Sequence, residues 1–103
     1  MIRISFLTKE LEDSERLAKF LMQERLVLYL TVEEHREIVL KSDGIAYRPL
    51  IHLSGMTKSL LYRRIQSEAQ DLLKDRLVRT WAEAVTSLDP DSTNELMGGT
   101  MAV

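Results

Sequence analysis

The stretch Asp13–Val32, DSERLAKFLMQERLVLYLTV, decides how this chain folds. Its first half carries apolar residues at three-four spacing: Leu17 and Leu21 share a face with Glu24, and Ala18 and Met22 lie beside them. That period marks an amphipathic helix, which Asp13 or Ser14 can cap and which is expected to end between Gln23 and Arg25. Without a Gly or Pro, the chain then passes into LVLYLTV, residues 26–32. These are apolar or β-favouring throughout, as in a strand buried on both faces.

Working outward, IRISFLT (residues 2–8) alternates, with Ile2, Ile4 and Phe6 on one side, and reads as a half-buried strand. Downstream, EEHREIVLKSDGIAYRPLIHL has the pattern of a long hairpin turning at Ser42–Gly44, where Asp and Gly tolerate tight-turn geometry. Pro49 cannot donate to a ladder and so marks an edge or a bulge. Gly55 and Thr57 are expected to end that strand and cap a second helix, with Leu61, Ile65, Ala69 and Leu72 as its inner stripe. LVRTWAEAVTSL, residues 77–88, is rich in Val, Thr and Trp and reads as a final strand.

The resulting order, β-α-β-β-α-β, specifies an α+β fold: a ferredoxin-like plait with a four-stranded antiparallel sheet and both helices on one face. Residues 1–88 are expected to form this single domain, and residues 89–103 a mobile or interface-forming tail. A second sheet face left bare under an all-apolar LVLYLTV is too large a patch for a monomer, so self-association is expected to cover it.

Composition narrows the function. The chain has 103 residues, 45% hydrophobic and 29% charged, which is ordinary for a globular domain. Its net charge of -2 and interspersed Lys and Arg argue against nucleic acid as a partner. It has no cysteine, hence no disulfide, thiolate metal site or thiol nucleophile. No apolar run approaches the roughly 20 residues of a membrane span, and the first ten residues are too charged for a secretory signal. A cytoplasmic protein with no membrane partner is the expectation.

SERLAKFLMQERLVLYLTV resembles the helix-to-strand junction of the CutA family, the divalent-cation tolerance proteins, whose pattern runs A-x-x-x-A-x-x-L-V-E-x-R-L-A-A-C-V-N. Ala18, Leu21, Glu24, Arg25 and Leu26 fall on it. REIVLKSDGI is similar in position to the family's hairpin S-I-Y-R-W-E-G-K-I, through Ile38, an acidic residue before Gly44, and Ile45. The likeness spans about Ile2 to Ile65. It implies a tight homotrimer of ferredoxin-like subunits, non-enzymatic, related in architecture to the PII regulators and linked to metal-ion tolerance or small-ligand sensing. The family's usual metal-associated residues do not carry over. Tyr29 stands at its cysteine, Lys41 or Ser42 at its hairpin tryptophan, and EAQDLLKDRLVRTWAEAV has no counterpart of its His-Pro-Tyr-Glu motif.

Any metal chemistry would then fall to other residues. Glu33, His35 and Glu37 fall on one side of a strand at period two, a donor set for a divalent metal ion such as copper or zinc. A solvated, charged hairpin edge produces the same spacing. His52, between apolar neighbours, reads first as a core or interface histidine, and a joint site with His35 depends on the hairpin register. Lys58, Arg63 and Arg64 near a helix start could attract an anion, although solvent-facing cations have the same pattern and no Gly-rich cradle accompanies them. Trp81 reads as a subunit-contact anchor, and Tyr29 as a packing residue whose hydroxyl finds a partner. Ser14, Ser54 and Ser59 have no adjacent His and acid of a nucleophilic arrangement.

Two other functions share the element order. A dimeric, cofactor-free α+β barrel oxygenase could use a lone His as base, but His52 has no evident orienting group in the sequence. A PII-like nucleotide-binding regulator needs a long loop where this chain has the compact SDG.

Overall fold

The junction QERL forms a helix-terminating motif in the computed structural model, which describes residues 1–103. Helix α1 (Leu11–Gln23) ends at Glu24, and Arg25 then adopts a left-handed φ of 54°. The Arg25 N–H donates to Met22 O and the Leu26 N–H to Leu21 O, at 3.1 and 2.9 Å. This six-to-one and five-to-two pairing usually has Gly at the turning position. Leu21 and Leu26 are both fully buried, supplying the apolar contact that closes the motif.

The elements run β1 (Ile2–Thr8), α1, β2 (Leu28–Lys41), β3 (Gly44–Thr57), α2 (Tyr62–Leu73), β4 (Leu77–Ala84) and α3 (Pro90–Gly99). The strands form one antiparallel sheet in the order β2-β3-β1-β4, the ferredoxin-like arrangement expected from the sequence. Ile4 and Phe6 of β1 and Leu53 of β3 point to one face. There they pack with Leu17 and Leu21 of α1 and Ile65, Ala69 and Leu73 of α2. The inner stripe of α2 is thus Ile65, Ala69 and Leu73, continued by Leu61 in the turn before it, with Leu72 only half-buried.

Several expectations are corrected. Helix α1 starts two residues before the expected caps, with Glu10 as its N-cap. Asp13 instead accepts from the Glu10 N–H and pairs with Arg76, while Ser14 is buried against the Thr8 hydroxyl at 2.7 Å. Gly55 lies inside β3, which ends at Thr57 as expected, and neither residue caps the helix that follows, since α2 has Leu61 at its N-cap. The Thr57 hydroxyl donates to Leu26 O at 2.6 Å, tying β3 to the junction.

The strand after the junction is not buried on both faces. It begins at Leu28, lies at the sheet edge, and is interrupted at once by a bulge. Leu28 pairs with Met56 and Thr31 with Ser54, so Tyr29 and Leu30 together oppose Gly55. Tyr29, at φ 56°, takes up the extra residue. The bulge sends Leu30 onto the helix-side core and Leu28 against Gly99 of α3, and it leaves Tyr29 and Val32 exposed. The outer half of the hairpin is a two-stranded arm, because β1 pairs with β3 only from Ile51 to Thr57. Pro49 lies in this arm opposite Arg36, where no third strand needs its missing N–H.

The segment from Asp89 contains α3, capped by the Asp89 carboxylate on the Ser92 N–H. Leu96 is fully buried, the Arg25 guanidinium donates to Gly98 O at 3.2 Å, and the Met101 N–H donates to Arg25 O at 2.7 Å. The QERL junction therefore holds the C-terminal segment as well as ending α1.

Candidate functional site on the open sheet face

Strand alternation places a second set of side chains on the face away from α1 and α2. Arg3, Ser5 and Leu7 of β1 lie there, flanked by His52 and Ser54 of β3 and by Arg79, Trp81 and Glu83 of β4. Beyond them, β2 contributes Glu33, His35 and Glu37. This face was expected to be apolar; its centre is polar and aromatic.

His52 pairs in register with Leu7, and Trp81 with Ser5, on opposite sides of β1. Their rings meet across that strand, stacked at a centroid separation of 5.4 Å and an interplanar angle of 20°. Beneath them Ser5 and Leu7 are buried although no helix covers this side. On its other side His52 meets His35 edge-on, with centroids 6.0 Å apart. The buried His52 Nε2 and Ser5 Oγ have no hydrogen-bond partner. Burial, followed by the nearby Arg3 guanidinium, pushes the His52 pKa below the ordinary imidazole value, so the ring is neutral at pH 7.

The expected trio of Glu33, His35 and Glu37 does share this face, but it does not converge. Glu37 turns to Arg79 at 2.6 Å and Arg48 at 3.6 Å, and the Arg79 hydrogen bond lowers its pKa. No group of three or more His, Cys, Asp or Glu side chains is placed to hold a metal. What the fold brings together instead is His35 with His52. The other sequence candidates are engaged structurally. Lys58 Nζ donates to Met101 O at 3.0 Å, and Arg64 pairs with Glu68 at 3.7 Å, so with Arg63 exposed the three cations build no common anion site. Ser54 contacts Arg3 at 2.9 Å, and Ser59 accepts from the Met1 ammonium at 2.8 Å. Tyr29 lies beside Glu95 of α3, whose hydrogen bond raises the phenol pKa. Trp81 donates from Nε1 to Glu83 at 3.3 Å. The His52–Trp81 stack leaves no mark in the sequence beyond the strand phases, because only the β1 register joins the two residues.

Whole-chain comparison places the architecture. A point mutant of CutA1 from Pyrococcus horikoshii OT3 superposes with a TM-score of 0.85 at 20% identity, covering 99% of this chain and 100% of that one. The fold is the CutA1 fold. The divalent cation tolerance protein CutA1 from Thermus thermophilus superposes at 0.83 with 14% identity, over 98% and 100% of the two chains. CutA from Xylella fastidiosa gives 0.83 with 19% identity, over 97% of each. No family model and no curated protein matches the chain in sequence. The CutA1 fold is thus shared at identities where only backbone architecture is retained, and the bulge and the open-face rings are read from this chain alone. No helix is long and apolar enough to cross a membrane.

Proposed function

We propose that this chain is a non-enzymatic, divergent CutA-type protein that works as a homotrimer and serves divalent-cation tolerance. The observation that carries the assembly is the two-stranded arm. Ile38 pairs with Tyr47 and Leu40 with Ile45, and these four side chains are 65%, 57%, 86% and 66% exposed. They continue the helix-side face beyond the reach of α1 and α2, on a molecule 51 Å long and 19 Å thick. An apolar patch on an edge hairpin invites coverage by another chain. The trimer is the state implied by the sequence resemblance, and the role in cation tolerance follows the names of the proteins that share the fold. A non-enzymatic role is supported by Ser14, Ser54 and Ser59, whose hydroxyls are engaged in structural contacts.

Amide hydrogen exchange over residues 38–47 tests the assembly. Slow exchange along this arm at micromolar concentration, speeding up on dilution or in Ile38→Lys, is the expected result. Arm amides that exchange as fast as an open hairpin at every concentration would contradict it.

A further inference from the structure

We propose that His35 and His52 together bind one borderline divalent cation, zinc or copper(II), on the open sheet face. The inference rests on the cation half of the proposed function and gives it named donors.

The register supplies the placement. Glu33 stands directly opposite His52, and His35 lies two residues further along the same face of β2. The imidazole centroids are 6.0 Å apart and the rings inclined at 69°. Metal–nitrogen bonds of about 2.0–2.1 Å put two imidazoles at this separation within reach of one cation. Imidazole pairs select zinc and copper over the harder magnesium and calcium, which take oxygen donors.

The second observation is the His52 Nε2 atom, which is closed off from solvent yet has no partner. Buried polar atoms are almost always satisfied, so one left open beside a second histidine marks a position for a ligand. Trp81 holds the His52 ring in its plane, in the manner of an outer-shell support. The ring is also kept neutral, the form in which imidazole ligates. Around the pair, Glu33 and Glu83 supply negative charge while Arg3 opposes it. Glu37 is excluded, since Arg79 and Arg48 hold its carboxylate. The sequence-expected trio is thereby replaced by a cross-strand pair that retains only His35 from it.

The chain's single tryptophan is the probe. Copper(II) bound at His52 lies close enough to Trp81 to quench its fluorescence. Titrating the full-length chain with copper chloride is expected to give saturable quenching at one ion per chain, reversed by excess zinc chloride. His35→Asn, at a half-exposed position, and His52→Asn should each raise the half-saturation concentration at least tenfold, with folding checked by circular dichroism. Glu37→Gln should leave it unchanged. Quenching that is linear in copper, or that survives His35→Asn unaltered, would overturn the site. Solution mass on the same samples separates this test from the assembly. His35-dependent quenching in a monomer supports the site and rejects the trimer; His35-independent quenching in a trimer does the reverse.

Discussion

His52 and Trp81 stack face to face across β1, 5.4 Å between centroids, although 29 positions separate them in the chain and they stand on strands that never pair. The stack covers the centre of the sheet where no helix reaches, and it accounts for the burial of Ser5 and Leu7 beneath it. Replacing Trp81 with Ala removes a half-buried aromatic and uncovers both residues. A loss of about 2 kcal/mol is expected, below the value for a wholly buried ring. Urea denaturation at pH 7.5 measures it, and an unchanged midpoint would show that the stack contributes nothing.

The same stack makes stability depend on pH. The folded His52 has a pKa below the ordinary value of about 6.5, so across the interval between the two values the unfolded chain binds the extra proton. The contribution is fully present above about pH 6.5 and is lost as pH falls through the depressed folded value. Arg3 and His35 reinforce the depression, and Glu33 and Glu83 oppose it. Wild type should therefore lose more stability between pH 7.5 and pH 5 than His52→Gln does. In Trp81→Ala the His52 titration, followed by NMR, should move back up toward the ordinary value. Equal pH dependence in wild type and His52→Gln would refute the assignment.

Gly55 is where the bulge leaves no room. A Cβ there lies 2.5 Å from Val27 Cγ1, 2.8 Å from Leu28 O and 2.9 Å from Leu30 Cδ2. One of these is backbone and another a β-branched core side chain, so neither can rotate away. Gly55→Ala should cost about 2–3 kcal/mol, at the upper end for overpacking. Gly44→Ala provides a contrast: its Cβ meets nothing within 4 Å, and the penalty there comes from its φ of 126°. Thermal unfolding of Gly55→Ala at the wild-type midpoint would contradict the bulge.

Leu96 seats α3, and the main-chain contacts of Arg25 and Lys58 hold residues 98–101 at its end. Leu96→Ala should cost about 2–4 kcal/mol and expose residues 89–103 to limited proteolysis. Protease resistance equal to wild type would show that the polar contacts alone suffice.

The order of elements and the plait were legible from the three-four period of α1 and α2 and the alternation of Ile2, Ile4 and Phe6, although β1 is a central strand buried on both faces from Ile4 to Thr8 and not the half-buried strand its sequence suggests. The bulge was not legible, because an inserted residue leaves no mark in an all-apolar run such as LVLYLTV. Only its partner Gly55 signals it, and in sequence that Gly reads as a strand end. Arg25 was opaque for a similar reason, since left-handed turns are normally marked by Gly. In the sequence Glu37 has the look of a free donor, because Arg79 lies 42 positions away on a strand whose register the sequence does not state. The His35–His52 proximity depended on the hairpin register, which the two-residue turn at Ser42–Asp43 fixes once Lys41 is paired with Gly44.

The central claim is that the exposed arm joins copies of the chain into a trimer. Light scattering coupled to size exclusion, at micromolar concentration, weighs the particle directly. Three subunits of 11.9 kDa give a mass of about 36 kDa, the expected result. A particle of 11.9 kDa at every concentration would mean that Leu40 and Ile45 face water by themselves, and the assembly would have to be abandoned.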